Sequence, residues 1–455
     1  MIVTNETEII RNAIEYATSH GAAGCRISLN KNVMDTYTMF NGSLDKVVHS
    51  ADCSVYISLY VNGRYATFST NKLGKKDIES FLDKAIVMTS VLEEDKSQTL
   101  PPLKRLAKDA LTGMELGLYD PVYETFDSDR CMKMAEQISM FDKLPEHGAD
   151  YRVISEECEF STSVDENYLA DSQGFEGRHI ETSFGCSCEM NIEDKDGRKY
   201  CDYSWTASPF FDKLDWQSVG KEALERAVSH IAPQKRRGGK YRMVVAGRVA
   251  SKMVSSIFNA LNASALQQKT SYLQDSLGKK IFGDGLNIVD MARTPGKAGS
   301  RLYDSEGVAT KDDIVIENGV VKKYFVNTQM SNKMGIEATV EDITRPILMP
   351  YMAGKDLSGQ ENNVSLADIL HYCRNGILVS GFNGGNCNHA TGDFSFGVEG
   401  FAFKDGKIVH PVSEMLITGN MIELWNNFIA AGTDYCSSSR WQIPSLAFEN
   451  VSFSA

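Results

Sequence analysis

Val55-Tyr-Ile-Ser-Leu-Tyr-Val-Asn-Gly-Arg-Tyr-Ala-Thr-Phe68 reads as a β-hairpin. Val55, Ile57, Leu59 and Val61 alternate with Tyr56, Ser58 and Tyr60, the period of a strand with one buried face. Asn62-Gly63 is a tight-turn pair that accepts positive φ. Upstream, Ile9, Ile10, Ala13, Ile14 and Ala17 recur at helical spacing, with Thr4 as the expected cap and Gly21 as the stop. Downstream, Ile78, Phe81, Leu82, Ala85 and Ile86 mark a second helix. Helix, antiparallel strands, helix predicts an α+β layer in which helices cover one sheet face.

The same punctuation continues along the chain. Pro101-Pro102 and Asp120-Pro121 break the pattern. A helix follows over about Ser128–Phe141. Strands are expected at Tyr151–Ser163, Asn167–Asp171, Arg178–Ile192 and Lys199–Ala207, and a helix near Trp216–Ile231. Pro233-Gln-Lys-Arg-Arg-Gly-Gly-Lys240 reads as a linker. Beyond it come a strand at Met243–Ala246, a helix over about Val249–Ala265, and then strands with glycine-rich turns. Glu317-Asn318-Gly319 and Asp405-Gly406 are further hairpin turns. The expected class is α+β with mainly antiparallel sheets and flanking helices. The expected domains are an N-terminal α+β domain at 1–110, a central α+β domain at 111–234, and a larger β-rich C-terminal domain at 235–455.

The chain has 455 residues, with 42% hydrophobic and 24% charged residues, ordinary values for a folded protein. Its formal charge of -13 disfavours wrapping nucleic acid or binding an anionic membrane surface. No run of about 18 apolar residues suggests a membrane span. The first residues lack the basic flank and apolar run of a targeting signal. None of the ten cysteines forms a C-x-x-C. Reduced thiols and a cytoplasmic location are expected.

Among the eight histidines, none is followed by Glu, and no two lie three to five residues apart. A helical zinc-peptidase site needs that geometry, so none is read here. Cys186 and Cys188 share one strand face and, with Cys201, could be thiolate ligands. The alternative is a core-facing pair of small residues. Asp304 and Glu306 could hold a cation or act as an acid/base pair, or simply make a turn. Lys235-Arg-Arg237, Lys240 and Arg242 form a basic cluster that reads as a solvated linker or a polyanion contact. The glycines at 278, 283 and 285 do not make a phosphate loop.

Gly381-Phe-Asn-Gly-Gly-Asn-Cys-Asn-His-Ala-Thr-Gly-Asp-Phe-Ser-Phe-Gly-Val-Glu-Gly400 holds six glycines in twenty residues. One reading is a groove admitting a ligand's main chain; the other is a set of tight turns. The groove reading selects Gly384, Gly385, Asn386, Asn388, Asp393, Ser395 and Gly397. Cys387 and His389 lie within it, and a thiol nucleophile using Cys387 or Cys436 is a further reading.

Several of these runs resemble the third domain of the TldD/PmbA (TldD/TldE) family. They are Asp304-Ser-Glu-Gly-Val-Ala-Thr310, Ile316-Glu-Asn-Gly-Val320, Asn327-Thr-Gln-Met-Ser-Asn-Lys-Met-Gly335 and Gly376-Ile-Leu-Val-Ser380. Thr391–Phe401, Gly406-Lys-Ile-Val-His-Pro-Val-Ser-Glu414 and Ile417-Thr-Gly-Asn420 continue the match. Tyr60–Thr70 is similar to the family's first domain and Asp171–Gly177 to its central one. The resemblance implies a cytoplasmic metallopeptidase of two related subunits, once called modulators of DNA gyrase. One subunit carries H-E-x-x-x-H and a C-terminal Cys ligand; the other lacks zinc. The corresponding helix here lies near Gly247–Asn262, and its Ser256–Leu261 stretch offers no usual zinc ligand. Cys436 falls near the family's C-terminal Cys. The resemblance therefore implies a PmbA/TldE-like subunit with no catalytic residues and no metal of its own. Zinc is expected in the sister subunit, with unstructured peptides as substrates. A homodimer is a possibility, and no direct contact with nucleic acid or membrane is expected. The alternative is a non-enzymatic binding protein modulating gyrase or its inhibitors through protein contacts.

Overall fold

The computed structural model describes residues 1–143, 150–355, 357 and 363–454. They divide into two units. Unit 1 holds Met1–Ala227, Arg293–Lys311 and Val326–Glu341; unit 2 holds Val228–Ala292, Asp312–Phe325 and Asp342–Ala455.

Unit 1 opens with α1 (Thr4–Ser19). Thr4 is its first helical residue rather than its cap; the Glu6 carboxylate turns back onto the Val3 N–H at 2.9 Å. The strands β1 (Gly24–Phe40), β2 (Ser43–Val61) and β3 (Arg64–Thr70) follow, then α2 (Lys75–Ser90) and α3 (Ser128–Ile138). The strands β4 (Tyr151–Asp171), β5 (Glu176–Asp194) and β6 (Lys199–Ser208) and the helix α4 (Val219–Ser229) come next. All six strands form one sheet in the order β3-β2-β1-β4-β5-β6, with antiparallel neighbours. Alternation decides its faces. Cys25, Ile27, Leu29, Val55, Ile57 and Leu59 point to one side and are wholly buried under Ile10, Ala13 and Ala17 of α1 and Ile78, Leu82 and Ala85 of α2.

The expected break between Ser163 and Asn167 is absent; β4 runs straight through it. The polar residues that suggested a loop are satisfied within the sheet. Asp165 accepts from Asn32 Nδ2 at 2.7 Å, and buried Glu166 pairs with the Arg178 guanidinium and accepts the Ile2 N–H. An acid supplied with donors can be held within a strand.

Unit 2 starts with β7 (Gly239–Val245), α5 (Gly247–Leu261) and α6 (Ala263–Gln267). The expected single helix over 249–265 is broken at Asn262, which turns extended and caps α6 by accepting from Ser264 N. Small strands follow: β8 (Ile288–Asp290), β9 (Asp313–Glu317) and β10 (Val320–Val321). The helix α7 (Thr328–Met334) belongs to unit 1. Unit 2 resumes with β11 (Pro346–Leu348), β12 (Tyr351–Met352) and α8 (Leu366–Cys373). Then come β13 (Gly376–Cys387), β14 (Asp393–Lys404), β15 (Lys407–Asn420), α9 (Met421–Asn426), β16 (Phe428–Ala431) and β17 (Leu446–Ser454).

The larger sheet of unit 2 runs β12-β16-β17-β15-β14-β13-β7, and β17 also pairs with β7. Five strands, β7, β13, β14, β15 and β17, therefore close on themselves. Only β7 and β13 run parallel. The second sheet has the order β10-β9-β8-β11. No helix among the described residues is long and apolar enough to cross a membrane.

Ile57 faces Ile27 across the β1–β2 register, and both are wholly buried. Replacing Ile57 with Ala leaves a cavity between the sheet and α1/α2. The expected cost is about 2–5 kcal/mol, read as a lower urea midpoint at unchanged m-value.

Candidate functional site: the β13–β14 groove

The seven sequence-selected residues fall on β13, β14 and the turn between them, all within unit 2. The strands pair Gly385 with Phe396, Asn386 with Ser395 and Cys387 with Phe394. A register shift between Phe382 and Gly385 makes a bulge. Gly385 sits at φ +90°, and a Cβ there would lie 2.0 Å from the Ser395 carbonyl oxygen. This glycine is required by the close approach of its own partner strand. The tight-turn reading therefore accounts for Gly385, as it does for Asn388 and Asp393. Asn388 N donates to Asp393 O at 2.8 Å, and its side chain accepts from Ala390 N. Asp393 accepts from Asn420 Nδ2 at 3.0 Å and Thr391 Oγ1 at 2.7 Å, and these bonds hold its carboxyl below the usual range.

The outer edge of β13 is different. β7 pairs only with Ile377–Val379, and among the described residues no strand pairs with that edge from Ser380 to Cys387. Asn383, Gly384, Gly385 and Asn386 are exposed there. An open edge beside exposed glycines presents main-chain donors and acceptors to an extended chain.

α5 contributes the neighbouring side chains. Ser256 is buried and lies 3.4 Å from the Tyr272 hydroxyl. Lys252 stands 5.2 Å from the Phe396 ring centroid. Burial raises the Cys387 pKa, with the Ser256 hydroxyl opposing it. A protonated, half-buried thiol is a weak nucleophile. His389 gives its carbonyl to Tyr272 N, and among the described residues no hydrogen bond joins its ring to Cys387. The thiol-nucleophile reading gains no geometry from this site. Cys436 uses its carbonyl to accept from Ser439 N and Gln442 Nε2.

The zinc implied by the family does not fit these residues. Ser256, Ile257, Phe258, Ala260 and Leu261 of α5 are packed into the core, and Asn259 is exposed. None offers a thiolate, imidazole or carboxylate. One group of His, Cys, Asp and Glu among the described residues is close enough to share an ion: Glu156, Cys158 and Cys188 in unit 1. The suspected trio of Cys186, Cys188 and Cys201 is not assembled. Cys201 is exposed opposite Asn191, whereas Cys186 and Cys188 are buried opposite Thr206 and Ser204.

Sequence reasoning missed a second feature. The polar face of the unit 1 sheet forms the floor of a cleft of about 630 Å³. Asn167 links Ser28 and Asn30 on that floor to the Tyr303 hydroxyl, at 2.8, 2.8 and 2.7 Å. Buried His179 lines the same cleft, its Nε2 3.6 Å from Glu181 and without a hydrogen bond. Asp304 closes one end. Its carboxylate accepts from Glu306 N, Val308 N and Glu341 N, which is the turn role considered from sequence. Glu306 accepts instead from Thr328 N and Oγ1, so the two acids do not act as a pair. Burial, with Glu341 and Glu306 nearby, pushes the Asp304 carboxyl up to about 7. The signal for the cleft was the run of Ser, Asn and Tyr alternating with apolar residues in β1 and β2.

The chain is similar to known proteins along nearly its whole length. The model of the PmbA/TldA metallopeptidase central domain matches residues 122–231, and that of the C-terminal domain matches residues 238–455. The metalloprotease PmbA homolog of Haemophilus influenzae is 26% identical over 448 residues, covering 97% of this chain and 94% of the relative. Metalloprotease PmbA of Escherichia coli O157:H7 is 25% identical, covering 96% and 94%. A Bacteroides thetaiotaomicron crystal structure named as a modulator of DNA gyrase superposes with TM-score 0.93 at 32% identity over 100% of both chains. TldE of Thermococcus kodakarensis shares the fold, with TM-score 0.80 at 17% identity over 98% of this chain and 100% of that one.

The raised Asp304 carboxyl has a defined effect on stability. The folded state keeps its proton above the usual value of 3.8, so stability falls as pH rises from about 4 through about 7. Asp304→Asn removes that titration. Its Tm relative to wild type is expected to improve between about pH 4 and about pH 7 (the window of the shift), as read by thermal melts across that range.

Proposed function

The chain belongs to the PmbA/TldD metallopeptidase family, and from that premise we propose that it is a PmbA/TldE-like subunit of a two-subunit peptidase for unstructured peptides. The observation that carries the reading is α5. Where the family's zinc-bearing subunit needs H-E-x-x-x-H, this helix buries Ser256, Ile257, Phe258, Ala260 and Leu261. Hydrolysis is then assigned to a zinc-bearing sister, and this chain is inactive alone. Its contribution is structural and recognitive. The free, exposed edge of Asn383–Asn386 extends its sheet with a substrate strand, and Gly384, Asn386 and Ser395 shape the adjoining groove. Main-chain pairing suits a substrate without fixed structure, because every extended peptide offers the same donors and acceptors. The setting is the cytoplasm.

A second reading rests on the gyrase-modulator name of the Bacteroides relative. In it the chain is a binding protein that acts through protein contacts and not on DNA.

One experiment separates them. Hydrolysis of an unstructured peptide is measured for this chain, for a TldD-like sister and for their mixture, with and without chelator. Activity that appears or rises strongly only in the mixture, and vanishes with chelator, is expected. A mixture no faster than the sister alone would leave the binding-protein reading. Gly385→Val is a poor probe of the groove because it collides with Ser395. Asn386→Ala is better, since Asn386 is exposed. Turnover by the mixture should fall about fivefold, the loss of one side-chain hydrogen bond from the groove to the peptide, at unchanged Tm; full activity would remove the Asn386 side chain from the groove.

A further inference from the structure

Cys158 and Cys188 stand directly opposite each other on β4 and β5. Their sulfurs are 2.7 Å apart, and both residues are wholly buried. In the strand registers of this structure, no other cysteine faces a cysteine: Cys25 faces Leu59, Cys53 faces Lys31, Cys186 faces Phe160 and Thr206, Cys201 faces Asn191, and Cys387 faces Phe394. Opposed residues of antiparallel strands have Cα atoms about 4.5–5.5 Å apart. That lies inside the window of about 4.4–6.8 Å spanned by a disulfide. The backbone needs no rearrangement to accept the bond.

We propose that Cys158 and Cys188 are a dithiol–disulfide couple that fastens β4 to β5 in unit 1 when the protein meets an oxidant.

The neighbouring carboxylate distinguishes this from a metal site. Glu156 lies 4.0 Å from Cys188 Sγ and is itself wholly buried. Its oxygens are already engaged. One accepts from Met140 N at 2.7 Å; the other accepts from the Ser139 hydroxyl and from Phe141 N at 3.2 Å. The carboxylate is thus the anchor for the chain segment leaving α3. Two thiols and a carboxylate spent on three donors make a poor ion cage. The Cys188 thiol beside it and burial both push the Cys158 thiol up, which also disfavours thiolate ligation at neutral pH.

A buried thiol must be uncovered before it meets an oxidant, and freeing Ser139, Met140 and Phe141 from the adjacent Glu156 is the local opening expected to ease this. With a low-molecular-weight disulfide as oxidant, one cysteine loses its proton and attacks, forming a mixed disulfide and expelling one small thiol. The second cysteine then attacks the protein sulfur and expels the other. The sum is two protein thiols and one small disulfide giving one protein disulfide and two small thiols, so the two electrons and two protons pass to the oxidant.

The test uses the full chain and oxidised glutathione. After incubation, free thiols are alkylated under denaturing conditions and the digest is mapped without reduction. A Cys158–Cys188 linked peptide is expected, reversed by dithiothreitol, with Tm raised by a few degrees in the linked form. Glu156→Gln, which cannot serve all three donors, should form the link about tenfold faster. Separate alkylation of both cysteines in wild type and in Glu156→Gln, after prolonged oxidation, would overturn the proposal. So would stoichiometric zinc retained on dialysis by wild type and lost in Cys158→Ser. Because the link is mapped in the wild-type chain, the result does not depend on a variant folding.

Discussion

The pleat of a long paired strand constrains everything else in unit 1. β1 pairs along its length with β2 on one side and β4 on the other, so none of its residues is free to turn. Each side chain is committed to one face by its parity. The odd positions Cys25, Ile27 and Leu29 meet α1 and α2, and the even positions Arg26, Ser28 and Asn30 meet the cleft. A one-residue slip would exchange these sets. The apolar core follows from the β1–β2 register, the Asn167 network from the β1–β4 register, and the opposition of Cys158 to Cys188 from the β4–β5 register.

Unit 2 depends on a closure of another kind. β17 lies at the end of the chain, and its strand partner β7 opens the unit. Their pairing joins the edges left by β15 and β13 and turns an open sheet into a ring. Closure is incomplete at one place, because β7 ends at Val245 and α5 begins at Gly247. β13 outruns its parallel neighbour there, and its outer edge from Ser380 is left open. The helix whose start ends the pairing is the one that carries Ser256 towards Cys387. Edge and helix are therefore products of the same strand ending, which is why they lie together.

The hairpins were legible because their turns are local. Asn62-Gly63, Asn318-Gly319 and Asp405-Gly406 all take positive φ at both residues, as their side chains permit. The α+β class and the buried faces were legible for a similar reason, since period and parity lie along the chain. What crosses between strands was not. Spacing alone grouped Cys186 and Cys188 with Cys201, whereas the register sets Cys188 against Cys158, thirty residues away. Asp165 and Glu166 read as a break because their donors, Asn32 and Arg178, come from other strands. The glycine-rich run was found, yet its two readings apply to different atoms. Gly385 serves the bulge, and the open edge of β13 is the part available to a ligand.

The packing of α5 bears on the subunit role proposed above. A zinc helix must turn histidines and a glutamate toward substrate and tolerate polar groups on that face. In this chain Met253, Val254, Ile257, Phe258 and Leu261 are buried, and Phe258 packs edge-on against Trp441 at 5.0 Å. Restoring a metal motif would demand more than new ligands. It would place polar groups among residues that now hold α5 in position, without the partners that buried polar groups require. The lack of ligands and the buried face of α5 thus go together. Such a helix is held rigidly by its own core beside the open edge of β13.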